Sequence, residues 1–151
     1  AHAYTDTVHA ARSQGFYKVA MRLPGDGDSD GDGLPDAWEL MYFSDSTAAI
    51  AGHDFDGDGQ NNLAEYVAGT NPTNAASLFR VAGLDQGADG NVVQWVAATG
   101  RVYTVLWSGS TAGPFTVLRS GMAHPQNSYT DAVHGAGQAG FYMLDVKRDA
   151  P

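Results

Sequence analysis

Short runs of alternating apolar and polar residues fill the C-terminal half of the chain. Six such runs lie between residues 78 and 148, separated by glycine, proline or polar turn residues. Alternation of this kind turns one face of a strand inward and the other outward. Six short strands at this spacing favour an antiparallel β-sandwich. The predicted strands cover residues 78–84, 91–97, 101–108, 115–120, 128–133 and 141–148.

The alternation also predicts which side chains fill the core of the sandwich. Aromatic and β-branched residues recur at every second position of two strands, which indicates a small aromatic core. The outer face of the 101–108 strand is also apolar, at Val102 and Leu106. Edge pairing, a contact between molecules or a covering loop would each explain that face. The predicted inward residues are Val93, Trp95, Tyr103, Val105 and Trp107.

The chain begins with a copy of its own final strand region. The run YTDTVH at 4–9 corresponds to YTDAVH at 129–134, and Gly-Phe-Tyr recurs at 15–17 and 140–142 with the same offset. The apolar alternation that follows is also repeated, so the copy is predicted to form a strand. Its predicted inward residues are Tyr17, Val19 and Met21, which correspond to Tyr142, Leu144 and Val146.

Residues 1–23 are therefore predicted to be an N-terminal β-strand segment, for which three explanations stay open. The segment is the remnant of an upstream sandwich, an extra strand on the sandwich of its own chain, or a strand donated to a neighbouring molecule. Strand donation would couple molecules head to tail into a homo-oligomer or filament. We favour donation, because it best explains a chain that begins with a strand copy.

Two acidic loops of the same design occupy the region between the β segments. They read DSDGDGLPDAWE at 28–39 and DFDGDGQNNLAE at 54–65. Each has carboxylates at loop positions one, three and five, glycine at six, Asp or Asn at nine, and Glu at twelve. An EF-hand-type loop uses this spacing to surround Ca²⁺ with oxygen ligands. The carbonyl of position seven adds a backbone ligand, and the Glu closes the shell with two oxygens.

The spacing predicts two calcium ions. Position eight is Pro35 in one loop and Asn61 in the other, where a paired EF-hand has an aliphatic residue, so a looser stack of EF-hand-like loops is expected. Short helices are predicted over residues 35–43 and 61–68. Asp26 is a spare carboxylate, expected to serve a third ion or the outer shell of the first. The first ligand set is Asp28, Asp30, Asp32, Asp36, Glu39 and the Leu34 carbonyl, and the second is Asp54, Asp56, Asp58, Asn62, Glu65 and the Gln60 carbonyl.

Composition places the acidity of the chain in these loops. Between Leu23 and Arg80 lie nine Asp and two Glu with no Lys or Arg, whereas the whole chain has a net charge of −9. The rest of the chain is therefore slightly basic and has no patch that would recruit nucleic acid. Cysteine is absent, so calcium would supply the cross-linking that disulfides give to many exported domains. No apolar run approaches the ~18 residues of a membrane span, so no membrane insertion is expected.

The acidic stretches resemble a known family. DSDGDGLPDAWEL and DFDGDGQNNLAEYVAGTNP are similar to bacterial thrombospondin type 3 repeats, the calcium modules of large secreted proteins. The resemblance covers residues 26–77 and implies structural calcium and an extracellular location. The later runs VVQWVAATGRVYTVLWSGSTAGPFTVL and YTDAVHGAGQAGFYMLDVKR resemble small fibronectin type III-like sandwiches of secreted bacterial proteins.

The expected architecture is mainly β, an antiparallel β-sandwich at 78–151 preceded by tandem calcium-binding repeats at 24–77 and the N-terminal strand segment. No catalytic motif is present: the sequence lacks a nucleophile elbow, a phosphate loop and an HExxH helix. His9 and His134 each follow an Asp by three residues, a pattern that favours a structural hydrogen bond at a strand end over an acid–base pair. The chain is therefore not expected to be an enzyme.

The sequence favours a secreted, calcium-stabilised structural module that self-associates end to end as a fibre, surface-layer or adhesin component. The alternative is a carbohydrate-binding accessory module of a secreted polysaccharide-acting enzyme, with aromatic side chains stacked on sugar rings. A passive spacer is the third interpretation. The aromatic residues considered for glycan stacking are Trp95, Tyr103, Trp107 and Phe115.

Overall fold

The computed structural model describes residues 27–134 and 138–149. The predicted strand segment at 1–23 and the spare carboxylate Asp26 lie outside these residues. None of the described helices is long and apolar enough to cross a membrane. In chain order, the elements are α1 (Asp36–Phe43), α2 (Asn62–Ala68), β1 (Val81–Gly87), β2 (Gly90–Trp95), β3 (Arg101–Ser108), β4 (Thr116–Ala123), β5 (Ser128–Asp131) and β6 (Phe141–Arg148).

Both helices form where the sequence places them, beginning at position nine of each acidic loop. The side chain of Asn61 accepts a hydrogen bond from the backbone N–H of Ala64 and caps the start of α2. Gly69 ends the helix with φ of 80°, a left-handed conformation that glycine adopts at little cost, and its N–H donates to the carbonyl of Glu65. The cap thus holds Glu65, the last residue of the second loop, inside a defined helical turn.

The strands form two three-stranded antiparallel sheets, one in the order β1-β2-β5 and the other in the order β4-β3-β6. All six predicted strands are present, and β3 and β6 have the predicted bounds. β1 begins three residues late because Gln60 binds the backbone of Phe79: its amide group donates to the Phe79 carbonyl and accepts from the Phe79 N–H. β5 ends at Asp131, whose carboxylate accepts the N–H groups of Val133 and His134.

The inward faces of the two sheets form one core. Tyr103 of β3 is fully buried and packs its ring against Trp95 of β2 and Phe79. Trp107 departs from the prediction, since it is only half-buried and stacks on His134 at 3.7 Å between ring centroids. The other predicted inward residues are confirmed. The core contains Val93, Trp95, Tyr103, Val105 and Met122, with Tyr142, Leu144 and Val146 of β6 packed against it.

The outer face of the β4-β3-β6 sheet carries an apolar row, as the sequence predicted. Leu106 of β3 lies in register with Val117 of β4 and Met143 of β6. The last two are 59% and 41% exposed. The surface of this sheet thus keeps an apolar strip that the described residues leave largely uncovered.

Helix α2 connects the acidic loops to the sandwich. The Arg101 guanidinium donates to the backbone carbonyl of Tyr66 at 2.6 Å, and the Arg148 guanidinium lies 4.6 Å from the centre of the Tyr66 ring. Together with the hydrogen bonds between Gln60 and Phe79, these contacts fasten the second loop and its helix to β3, β6 and the start of β1.

Candidate metal centre

The first carboxylate of each loop shapes the loop itself. Asp28 accepts hydrogen bonds from the N–H groups of Gly31 and Gly33, at 2.8 and 3.0 Å. Asp54 accepts from Gly57 and Gly59 in the same way, at 2.8 and 2.9 Å. All four glycines have φ between 76° and 98°, where other residues are strained. The two loops therefore share one backbone conformation that depends on glycine.

Each loop brings three carboxylates together. One oxygen from each of Asp28, Asp30 and Asp32 lies within 4.8 Å of the others, and Asp54, Asp56 and Asp58 form an equivalent group. Three negative charges at this separation repel one another strongly. A divalent cation with oxygen ligands would convert that repulsion into attraction.

The glutamate at position twelve of each loop is buried, as a closing ligand must be. Glu39 and Glu65 are both fully inaccessible to solvent. One oxygen of Glu39 accepts the N–H of Ala49 at 3.0 Å, and one oxygen of Glu65 accepts the hydroxyl of Thr70 at 3.3 Å. The other oxygen of each has no hydrogen-bond partner among the described residues. A buried carboxylate oxygen left in this state is costly, and a cation would satisfy it.

Electrostatics point the same way. Burial, followed by the nearby charge of Asp56, raises the pKa of Glu65 to about 7. Burial also raises the pKa of Glu39; the hydrogen bond from Ala49 opposes this shift and the charge of Asp30 adds to it. Both glutamates are thus influenced by the negative charge of aspartates in their own loop. A bound cation would reverse the direction of these shifts.

Unpartnered buried oxygens converge in the second loop. Besides Glu65, one oxygen each of Asp56, Asp58 and Asn62 is buried and has no hydrogen-bond partner in the described part of the chain. The side-chain NH₂ group of Asn62 donates to the carbonyl of Ile50 at 2.9 Å. The side-chain oxygen of Asn62 is therefore available for another contact. These four side chains are the predicted ligands from positions three, five, nine and twelve, so the donor set fits Ca²⁺.

Asp36, predicted as a ligand at position nine of the first loop, has other partners. Its carboxylate accepts the N–H and the hydroxyl of Ser29, both at 2.8 Å, and it is not part of the close Asp group. Ser29 at position two was the available signal, because a serine can donate to a carboxylate across a tight loop. A direct role for Asp36, like the roles of the Leu34 and Gln60 carbonyls, stays a prediction.

A short segment between the two loops makes hydrogen bonds to both of them. The N–H groups of Ala49 and Ala51 donate to Glu39 and Asp32 of the first loop. The carbonyls of Ile50, Ala51 and His53 accept hydrogen bonds from Asn62 and Leu63 in the second loop. Residues 49–53, which we call the bridging segment, thus contact both candidate sites.

Comparison with known proteins adds one family. The family model described as Bacterial TSP3 repeat matches residues 28–42 and 54–75. Both acidic loops are therefore similar to bacterial TSP3 repeats. The matches begin at Asp28 and Asp54, the first ligand position of each loop, so the matched register and the structural register agree. A search of curated proteins and a search of solved structures each found no match. The repeats and the two Asp groups together indicate a calcium-binding structural module.

A second polar cluster lies at one end of the sandwich. Asp131 is fully buried and accepts hydrogen bonds from the His134 ring at 2.7 Å and the Tyr142 hydroxyl at 2.8 Å. Asn91 donates to the His134 carbonyl and to the Tyr142 hydroxyl. Burial raises the pKa of Asp131, but the hydrogen bonds from Tyr142, Val133 and His134 outweigh it and lower the pKa below its usual value. The predicted structural hydrogen bond between Asp131 and His134 is confirmed.

Proposed function

We propose that this chain is an extracellular, calcium-stabilised structural module that associates end to end, as part of a fibre, a surface layer or an adhesin. The observation that carries the calcium part is the pair of buried glutamates, each with one oxygen unpartnered among the described residues and each in a loop that clusters three aspartates. The Bacterial TSP3 repeat matches over the same residues support it.

The role we assign to calcium is mechanical. The second loop is fastened to the sandwich through Gln60 and through Tyr66 of α2, while the bridging segment ties it to the first loop. Two bound ions would hold these short elements in one fixed arrangement. The N-terminal strand segment would then stand at a set distance from the sandwich.

Self-association is supported by the content of the N-terminal copy. In the sandwich, Asp131, His134 and Tyr142 form one hydrogen-bonded cluster. The copy repeats this set as Asp6, His9 and Tyr17 at the same spacing. A segment that retains both the apolar alternation and the polar cluster of a sandwich strand is suited to pairing with a sandwich, and we infer that it pairs with the sandwich of a neighbouring molecule.

Electron microscopy and light scattering of the purified chain in calcium test this proposal. Filaments or defined oligomers are expected from the full chain. Deletion of residues 1–23 should abolish them while the circular dichroism of the sandwich is unchanged. A full-length chain that stays monomeric at high concentration would overturn association by strand donation.

The carbohydrate-binding alternative depends on accessible aromatic rings. Trp95 and Tyr103 are buried in the core, and Trp107 is stacked on His134. Three of the four aromatic side chains considered for sugar stacking therefore already pack against other residues of the protein. A glycan array would test whether the chain binds carbohydrate.

A further inference from the structure

Within the described residues, β6 is the most regular of the four strands at sheet edges. It pairs with β3 over eight consecutive residues, from Phe141 opposite Ser108 to Arg148 opposite Arg101, without a shift in register. The register of β1 shifts once and that of β4 shifts twice, and β5 has four residues. Bulged or short edges resist the addition of a strand, whereas a long regular edge accepts one.

An apolar groove lies beside this edge. A cavity of about 380 Å³ runs between α2 and the sandwich, and Val146 of β6 forms part of its wall. Leu63, Ala64 and Val67 of α2 line it, together with Phe79. A side chain from a strand added next to β6, opposite Val146, would reach this groove.

The N-terminal copy supplies a strand whose charges fit this edge in one antiparallel register. In this register Lys18 would lie opposite Asp145, an exposed acid at the centre of β6. The apolar face of the copy then meets the inward face of β6, with Tyr17 opposite Val146 at the groove. The full set of pairs is Phe16 with Lys147, Tyr17 with Val146, Lys18 with Asp145, Val19 with Leu144, Ala20 with Met143, Met21 with Tyr142 and Arg22 with Phe141.

Other alignments fit less well. A parallel alignment at the offset of the copy puts Arg22 beside Lys147, and an antiparallel shift by two residues puts Lys18 opposite Lys147. Like charges directly opposite on neighbouring strands are destabilising, while opposite charges and aromatic–cation pairs are favourable. The register with Lys18 opposite Asp145 avoids both repulsions and uses every residue from 16 to 22.

We propose that β6 of one molecule accepts residues 16–22 of a second copy as an antiparallel strand, with Lys18 opposite Asp145 and the Tyr17 ring in the groove beneath α2. This assignment rests on the strand donation proposed above and adds the acceptor edge, the direction and the register. The calcium-bound loops of the acceptor then support the groove through α2, so the donated strand and the second calcium site share one helix.

Cysteine cross-linking tests the register, because the chain has no cysteine of its own. Directly opposed strand residues have Cβ atoms about 4.5–5.5 Å apart, close enough for a disulfide to form after a small shift. The variant with Lys18→Cys and Asp145→Cys should give a ladder of disulfide-linked multimers under mild oxidation in calcium. The matched control combines Lys18→Cys with Asp85→Cys on β1 and should give none.

A charge exchange provides the second measurement. Asp145→Lys alone should weaken association roughly tenfold, because repulsion replaces an attractive cross-strand pair. The double variant with Lys18→Asp and Asp145→Lys should restore it. The groove is tested by Val67→Trp, outside the acidic loop, which should fill the space for the Tyr17 ring and weaken association while leaving calcium binding intact.

The outcomes separate the two proposals. Oligomers that form without the Lys18–Asp145 cross-link would overturn this register and leave strand donation standing. A chain that stays monomeric in every variant would overturn both. A disulfide that forms within one chain would show that the strand folds back on its own sandwich, and would overturn donation between copies.

Discussion

At the scale of single residues, Glu65 is the buried carboxylate of the second candidate site. It is fully buried, one oxygen accepts the Thr70 hydroxyl, and the other has no partner among the described residues. Glu39 has the same arrangement with Ala49 as its donor. Glu39 and Glu65 therefore share the same arrangement, with one oxygen hydrogen-bonded and the other unpartnered, although their neighbours differ. This repetition argues that the unpartnered oxygen binds a ligand.

Replacing Glu65 by Gln should remove about one calcium ion per chain by titration calorimetry, because the closing ligand loses its charge and one of its two oxygens. Glu39→Gln should remove the other. Asp45→Asn is the matched control, since it deletes an exposed acid outside both Asp groups and should leave both ions bound. Retention of two ions by the Glu65→Gln variant would refute the ligand register.

Calcium affinity at the second loop should depend on pH, because the pKa of Glu65 is raised to about 7 by burial and by Asp56. A proton on Glu65 competes with the ion, so affinity should fall about tenfold between pH 8 and pH 6. The calcium-free protein should show the opposite trend: a raised carboxyl pKa means that stability is lost as pH rises above 4.5 toward 7. Calorimetry at the two pH values on the Glu39→Gln variant, which should keep only the second site, checks this; equal affinities would contradict it.

At the scale of secondary structure, side chains that bind the backbone set where some elements begin or end. Gln60 binds both backbone groups of Phe79, 19 residues away, and so delays the start of β1. Asp131 accepts the N–H groups of the two residues at positions 133 and 134 and so ends β5 two residues early. Gly69 ends α2 through its own left-handed φ. The helix end at Gly69 was predicted, whereas the strand ends that depend on hydrogen bonds of the Gln60 and Asp131 side chains were not.

Gln60→Ala should destabilise the sandwich by about 1–3 kcal/mol, because it leaves a half-buried N–H and carbonyl of Phe79 without partners. It should also loosen the joint between the second loop and the sandwich. The measurement is urea unfolding monitored by near-ultraviolet circular dichroism in calcium. Gln86→Ala, an exposed position on β1, is the control and should change stability little; an equal effect of the two variants would rule out the joint.

The whole molecule combines a strongly acidic repeat region with a compact sandwich. Eleven acidic and no Lys or Arg side chains lie between Leu23 and Arg80. In the repeat region, the contacts that oppose this repulsion come from two short helices and from the hydrogen bonds of the bridging segment. The sandwich has a continuous aromatic core that contains no acidic loop residue. The two parts should therefore respond differently to loss of metal.

Chelation should lower the melting temperature sharply and expose the acidic loops to protease before the sandwich. Binding to the folded state alone contributes about 2.7 kcal/mol at a hundredfold excess of calcium over Kd. Differential scanning calorimetry and limited proteolysis with and without EDTA check this, with magnesium added back as the control for ion identity. If EDTA changes neither, the calcium assignment is wrong.

The sequence by itself determined the parts of this protein whose contacts are close along the chain. The predicted loop ligands lie two or three positions apart, so the spacing from Asp28 to Asp32 was enough to predict that these carboxylates lie close together. Strict alternation in β3 and β6 was enough to predict their bounds and, apart from Trp107, their inward residues, because each strand has one face turned to the core.

Only the tertiary structure decided the features that join distant segments. The hydrogen bonds between Gln60 and Phe79 span 19 residues, and the contact of the bridging segment with Asp32 also spans 19. Trp107 left the predicted core to stack on His134, a residue that the turn after β5 brings beside it. No local pattern encodes such pairs, because their energies depend on which surfaces meet after the sheets and loops have packed.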